Sequence, residues 1–400
     1  MRITVQFLIF LLAASGLFLF FNTSNTVPLV ISQLAQTVGE TVFNKNPNND
    51  IDFQKPLTNP PEIIKALYAT GWSVGSEKML NYLIKLIKET ELNAIVIDIK
   101  DYSGEVSYFT DVRDVEQYGK GRELKILRPN MMIKKLHDEE IYVIARQTVF
   151  QDPVLAKARP DLALTSSSTG KQWLDNKKVM WVDPAGKEIW DYNIAIAKDA
   201  LVRGFDEVNF DYIRFASDGN LDDIKYPFWD EKTLKRYVIR DFFKYLRQSL
   251  PEARISADLF GLVTVNYGDM GIGQNLDDAY NYFDAVAPMV YPSHYHAGFN
   301  GYQNPVLHPY DVVYASILEA HKRLEQYKIK AETSTSTEKY LVKEPQLRPW
   351  LQDFDLGTNY DAGKVRAQIN AVYDAATGTP MGWMLWDPSN NYTKAALLVD

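Results

Sequence analysis

Five short apolar runs in this 400-residue chain end on an aspartate, and together they are its best candidates for chemistry. They read Ile97-Asp98-Ile99-Lys100-Asp101, Asn209-Phe210-Asp211-Tyr212-Ile213-Arg214, Ser256-Ala257-Asp258, Gln352-Asp353 and Trp386-Asp387-Pro388. Two further runs end on Arg146-Gln147-Thr148 and on Tyr291-Pro292-Ser293-His294-Tyr295-His296. A charge at the end of a strand buried on both faces is costly unless paired or hydrogen-bonded, so its recurrence at one end of many strands points to a site. Asp101 and Asp387 have a plainer reading as helix caps or turn formers. By period-2 alternation Asn209 and Asp211 share a face, as do Ser256 and Asp258, and Asp98 and Lys100. If those faces point inward, the carboxylates of Asp98, Asp211 and Asp258 converge, with Lys100 and Arg214 to hold one ionised while burial raises the pKa of another. An acid with a base or nucleophile needs that split.

Several other chemistries fall away. There is no cysteine, which removes disulfides, thiol nucleophiles, iron–sulfur clusters and Cys-ligated zinc. No GxxxxGK[ST] or G-x-S-x-G stretch occurs. His294-x-His296 could bind a metal with Asp98 or Asp258, but it sits between Tyr291 and Tyr295 and reads better as sugar-binding or packing. No cofactor or metal is called for. Acidic residues exceed basic ones, 51 to 43, with no basic run, so no nucleic-acid partner is expected. Aromatic residues make up 13% of the chain; Tyr and Trp suit both a large core and stacking on sugar rings.

The elements that must position these residues alternate. Strand-like runs at 66–70, 94–100, 142–148, 207–214, 255–260, 285–291, 349–354 and 381–387 are separated by helical periodicity. Leu80, Leu83, Ile84 and Ile87 mark one helix over 77–89, and Val238, Phe242 and Leu246 another over 233–250. Further helices are predicted at 130–138, 188–203, 311–326 and 362–376. Eight strands with intervening helices predict an α/β fold, a single-domain (β/α)8 TIM barrel over 63–400 with its chemistry at the strands' C-terminal ends; a doubly wound open sheet is the rival. The long connection at about 149–187, with Trp173 and Trp181, is read as either substrate-facing or packed over the mouth.

At the N-terminus, Arg2 precedes an uncharged, largely apolar run over 3–21 that is near the ~20 residues needed to span a bilayer. No small-residue cleavage site follows, so residues 1–21 are read as a signal anchor and 22–62 as a tether rich in Asn and Pro. That predicts a membrane-anchored, extracytoplasmic protein, secreted if the segment is cleaved.

The stretches Asn93-Ala94-Ile95-Val96-Ile97-Asp98-Ile99-Lys100-Asp101, Gly204-Phe205-Asp206-Glu207-Val208-Asn209-Phe210-Asp211-Tyr212-Ile213-Arg214-Phe215, Ala287-Pro288-Met289-Val290-Tyr291-Pro292-Ser293-His294-Tyr295 and Arg348-Pro349-Trp350-Leu351-Gln352-Asp353-Phe354 resemble the bacterial glycosyl hydrolase-like (β/α)8-barrel domain family, often found behind a membrane anchor. The resemblance covers roughly 64–390; Ala216 departs from the family's usual Pro and leaves the carboxylates untouched. It implies a glycoside hydrolase acting on extracytoplasmic or cell-envelope polysaccharide. Asp211, beside Arg214, is then nucleophile or base. Asp258, among Leu259 and Phe260, is general acid. Asp98, Lys100, Arg146, Arg214, Tyr291, His294, Trp350, Asp353 and Trp386 bind substrate, with Tyr291, Trp350 and Trp386 as sugar platforms. A non-catalytic glycan-binding barrel and a metal-dependent polysaccharide deacetylase using His294 and His296 are the alternatives.

Overall fold

The computed structural model describes residues 48–334, 341–342, 344–376 and 378–399. The apolar run at 3–21 and most of the expected tether lie outside them. Among the described residues no helix is long and apolar enough to cross a membrane.

Eight strand positions run parallel around a closed ring: β1 (Lys65–Ala69), β2 (Ala94–Lys100), β3 (Tyr142–Thr148), β4 (Glu207–Asp211), β5 (Ile255–Phe260), β6 (Ala285–Met289), β7 (Trp350–Gln352) and β8 (Trp383–Trp386). β1 pairs with both β2 and β8, and β7 closes the ring between β6 and β8. A two-residue strand, Gln346–Leu347, pairs with β6 ahead of β7. Pro349, which has no N–H to donate, interrupts that stave between its two paired parts. The fold is a (β/α)8 barrel, and closure on β1 rules out the open sheet.

Six longer helices cover it: α1 (Glu77–Lys88), α2 (Pro129–His137), α3 (Lys187–Arg203), α4 (Lys235–Ser249), α5 (Pro309–Thr333) and α6 (Ala362–Ala375). In α1, Leu80, Leu83, Ile84 and Ile87 are buried, as their i, i+3, i+4, i+7 spacing requires. Apolar residues of the strands' outer faces meet these helices in one large cluster. A separate interior cluster fills the barrel with Ala66, Val96, Tyr142, Ile144, Trp350 and Met384. Five strands, β1, β4, β6, β7 and β8, stop short of their predicted ends. β4 ends at Asp211 because Tyr212 takes a left-handed backbone (φ 54°), a sparsely populated conformation for an aromatic residue.

The compact unit begins at Asn48 rather than near 63, because part of the expected tether is bonded to the barrel's flank. Asp50 caps α2, whose first-turn N–H groups have no acceptor within the helix: Asn130 N donates to Asp50 Oδ2 at 2.8 Å and Met131 N to Oδ1 at 2.9 Å. Gln54 N donates to the Arg203 carbonyl at 3.1 Å, and Leu57 N to Asp206 Oδ1 at 2.6 Å. Gly204 ends α3 in the left-handed region (φ 105°), and a Cβ there would lie 2.6 Å from the Gln54 carbonyl oxygen. Residues 48–62 therefore belong to the folded unit. Denaturant melts should find a chain starting at 63 about 2 kcal/mol less stable than one starting at 48, the order of a lost helix cap plus a broken hydrogen bond. Equal midpoints would mean that the strap contributes nothing.

Candidate active site

Arg146, near the end of β3, is the hub of the barrel's mouth. Its Nη1 donates to Asp98 Oδ1 at 2.5 Å, its Nη2 to Asp211 Oδ2, and its Nε lies 3.5 Å from Asp258 Oδ2. Strand register explains the convergence. Asp98 is paired with Arg146 across β2–β3, and Arg146 with Asn209 across β3–β4. Asn209 and Phe210 are opposite Ser256 and Ala257, so Asp211 and Asp258 follow side by side on β4 and β5. Each carboxylate has further donors. Tyr68 OH reaches Asp98 Oδ2 at 2.5 Å, and Tyr212 N reaches Asp211 Oδ1 at 2.5 Å. Asp258 Oδ1 accepts from Asn209 Nδ2 at 2.9 Å and from Trp350 Nε1 at 2.7 Å, while its Oδ2 has no hydrogen bond.

Three carboxylates share one guanidinium, and the electrostatics follow. Burial pushes the Asp258 carboxyl up to about 7, with the neighbouring Asp211 charge adding to the rise and Arg146 opposing it. Burial also raises Asp98, against Arg146 and Tyr68. One layer deeper, Glu207 accepts from Ser256 Oγ at 2.5 Å, from Tyr142 OH at 3.3 Å and from both terminal nitrogens of Arg348. This lower layer holds Asn209 and Ser256 in place beneath Asp258.

Above the hub opens a cleft of about 630 Å³ whose lining includes Asp211, Arg214, Lys177, Tyr291, His294 and Trp386. It lies at the C-terminal ends of the strands, the catalytic end of barrel enzymes. Trp386 stacks on Tyr68 with ring centroids 3.8 Å apart, and the Arg146 guanidinium lies over it at 4.8 Å. Burial and Lys177 lower the His294 pKa, and its ring meets Tyr291 edge-on at 5.4 Å. A second concavity of similar size on the helical flank is lined by Arg240, Asp278 and Arg323 among others, with no converging carboxylates from strand ends.

The structure brings together Asp98, Arg146, Asp211 and Asp258, and places Arg146, Asp211, Arg214, Tyr291, His294 and Trp386 on the cleft. Three expected site residues lie elsewhere. Lys100 leaves the Asp98 face at a register shift in β2, where it pairs with the outward Gln147. It points away from the axis to Asp152 at 2.7 Å and Asn193 Oδ1 at 3.1 Å. Trp350 is fully enclosed beneath the floor and serves Asp258 through its N–H. It is core, not a platform, and Trp350→Ala should lower stability by about 3–5 kcal/mol in denaturant melts. A loss under about 1 kcal/mol would contradict that burial. Asp353 is buried off the cleft, accepts from Thr393 N at 2.9 Å, and is raised to about 6 by burial.

Arg214 makes no ion pair with Asp211; Arg146 takes that place. His294 and His296 part company: His294 Nδ1 meets Ser293 Oγ, while the exposed His296 meets its neighbour's carbonyl. Among the described residues no group of three His, Asp or Glu could hold a metal ion. Sequence reasoning missed Tyr68, Glu207 and Arg348. Glu207 was legible, since it continues the Asn209–Asp211 face two residues earlier.

Residues 66–392 match the family described as "Putative glycosyl hydrolase domain". The chain belongs to that family. Two solved structures agree on the fold. The glycoside hydrolase domain of PgaB (BpsB) from Bordetella bronchiseptica is 14% identical with TM-score 0.56, over 84% of this chain and 99% of that one. The α-galactosidase of Thermus thermophilus in complex with stachyose is 11% identical with TM-score 0.50, over 85% of this chain and 65% of that one. A hypothetical protein from Ruminiclostridium thermocellum ATCC 27405 is 40% identical over 48% of this chain and 96% of that one, with TM-score 0.45. No curated protein matches the chain.

Proposed function

We propose that this chain hydrolyses glycosidic bonds in an extracytoplasmic or cell-envelope polysaccharide, held at the membrane by its segment 1–21. Asp211 is the nucleophile or base and Asp258 the general acid. The observation that carries this reading is the convergence of Asp98, Asp211 and Asp258 on Arg146 at the floor of the cleft. Glycosidases need two carboxyl groups, about 5–5.5 Å apart for retention and roughly 6.5–9.5 Å for inversion. Asp211 and Asp258 sit on neighbouring strands ~4.8 Å apart and approach nitrogens of the same guanidinium, which favours the shorter separation and retention. Asp211 faces the cleft. Asp258 keeps a proton to near neutrality because it is buried beside Asp211. Delivering that proton to a leaving oxygen requires Arg146 to shift, since its Nε stands against Asp258 Oδ2. Asp98, bound to Tyr68, anchors Arg146 from the other side. Trp386 and Tyr291 supply the apolar faces for sugar rings.

A second reading, a glycan-binding barrel without turnover, draws support from one fact: of the three carboxylates only Asp211 lines the cleft. The deacetylase reading lacks a donor set among the described residues.

The pH profile tests the acid. With Asp258 held up to about 7, kcat/KM should fall as pH rises through about 7, where the acid loses its proton. Release of reducing ends from a glycan panel, followed from pH 5 to 9, measures it. Activity still rising at pH 9 would remove Asp258 from the acid role.

A further inference from the structure

Eight Lys and Arg side chains are buried in the described structure: Lys100, Lys125, Arg146, Arg203, Arg214, Arg247, Arg323 and Arg348. Seven have a carboxylate within 4.0 Å. Arg214 has none among the described residues. Its guanidinium is enclosed by the rings of Phe260 at 4.7 Å, Trp181 at 4.8 Å and Tyr212 at 5.2 Å. Only Nη1 is hydrogen-bonded, to the Phe215 carbonyl at 3.1 Å and Ser217 Oγ at 2.9 Å. Nε and Nη2 make no hydrogen bond, yet neither is among the buried atoms sealed off without a partner, and Arg214 lines the cleft. The nearby acids, Asp211, Asp218 and Asp175, are felt by Arg214 but not paired with it; Asp175 accepts from Gln151 Nε2 at 2.9 Å and Trp181 Nε1 at 3.0 Å. Asp211 is committed to Arg146, and Asp218 Oδ1 accepts from Asn176 N at 3.0 Å. Lys177 adds a second cation on the same cleft.

A buried, aromatic-walled cation without a counter-ion costs stability, and burial lowers its pKa accordingly. A planar fork with donors open to a cleft fits an anionic oxygen group in two-point contact. We infer that Arg214 is the recognition site for an anionic group carried by the sugar, a carboxylate or a phosphate or sulfate ester, so that the substrate is an acidic polysaccharide. This rests on the reading of the cleft as a glycan site. The rings around Arg214 hold its fork facing the ligand and exclude water, which strengthens the contact. A neutral glycan would leave the charge unpaired, so the site also selects against neutral sugars.

Binding, read by calorimetry, tests this apart from turnover. The probes are glucuronate-, galacturonate- and mannuronate-containing oligosaccharides, each beside its carboxyl-reduced counterpart, with sugar phosphates and sulfates beside the parent sugars. In at least one pair the wild-type protein should bind the acidic member about 10-fold or more tightly, the order of one charge-assisted bidentate contact. The pair that shows it, uronate or ester, identifies the anion. Arg214→Gln should abolish the preference, and Arg214→Lys should keep part of it, since the charge remains while the fork is lost. Melting curves establish that both variants are folded, and the unpaired charge removed by Gln predicts no loss of stability. Equal binding within every pair, or a preference that survives in Arg214→Gln, overturns the inference. If acidic glycans bind preferentially and are never cleaved, the inference stands and the hydrolase reading falls. Cleavage of a neutral glycan without any acidic preference does the reverse.

Discussion

Asp211→Asn is expected to cut hydrolysis by about 10³-fold or more while leaving glycan affinity within about threefold, because the amide keeps the side chain's shape and removes the charge. Stability should hold. Burial is the largest cause of the raised Asp258 pKa and the Asp211 charge the second. A carboxyl whose pKa is raised on folding lowers stability as pH climbs from its unfolded value, about 3.9, through its folded value near 7. Removing the Asp211 charge lowers that folded value and shrinks the penalty. At pH 8 that gain offsets part of the cost of the lost Asp211–Arg146 ion pair, and Arg146 keeps Asp98 and Asp258 as partners, so the variant should melt close to wild type. Comparing kcat, Kd and Tm separates the outcomes. Loss of activity with a much lower Tm would make Asp211 a structural residue.

Arg146→Met should produce the largest stability loss of any single substitution at the mouth. It strands Asp98, Asp211 and Asp258 in the barrel without the cation they share. Breaking a buried ion pair from one side costs about 3–5 kcal/mol, because the remaining charge is left uncompensated. The loss should depend on pH. Without Arg146 the carboxyls take up protons more readily, so the gap from wild type narrows at pH 5 and widens at pH 8. Urea melts at both pH values measure it. An equal loss at the two would point to packing of the side chain on Trp386 and Tyr68 rather than its charge.

How far the site was legible differs residue by residue. The barrel followed from alternation, and β2, β3 and β5 span the residues the sequence predicts, because apolar β-branched runs bounded by turn residues leave little freedom. Asp98, Asp211 and Asp258 were legible because period-2 alternation puts them on one face each. Lys100 was not. A single register shift beside Ile99 carried it to the outer face, and such a shift leaves no trace in the hydrophobic pattern. Trp350 lies on an inward face, but its depth depends on how staves of the barrel are staggered, which one strand's sequence does not reveal. Pairing was the other gap. Arg214 stands three residues from Asp211 in sequence, yet the reversal at Tyr212 turns it away, and Arg146 arrives from the neighbouring strand. Cation and carboxylate meet across strands, so proximity along the chain misassigned the partner.

The most direct measurement is the release of new reducing ends from envelope polysaccharides and a panel of acidic and neutral oligosaccharides, run in parallel on wild-type protein and Asp211→Asn, with binding measured on the same samples. The account predicts release by the wild type, binding without release by Asp211→Asn, and a fall in the wild-type rate above about pH 7. Binding by both proteins with release by neither would contradict it and establish a glycan-binding barrel; equal release by both would place the chemistry on other residues.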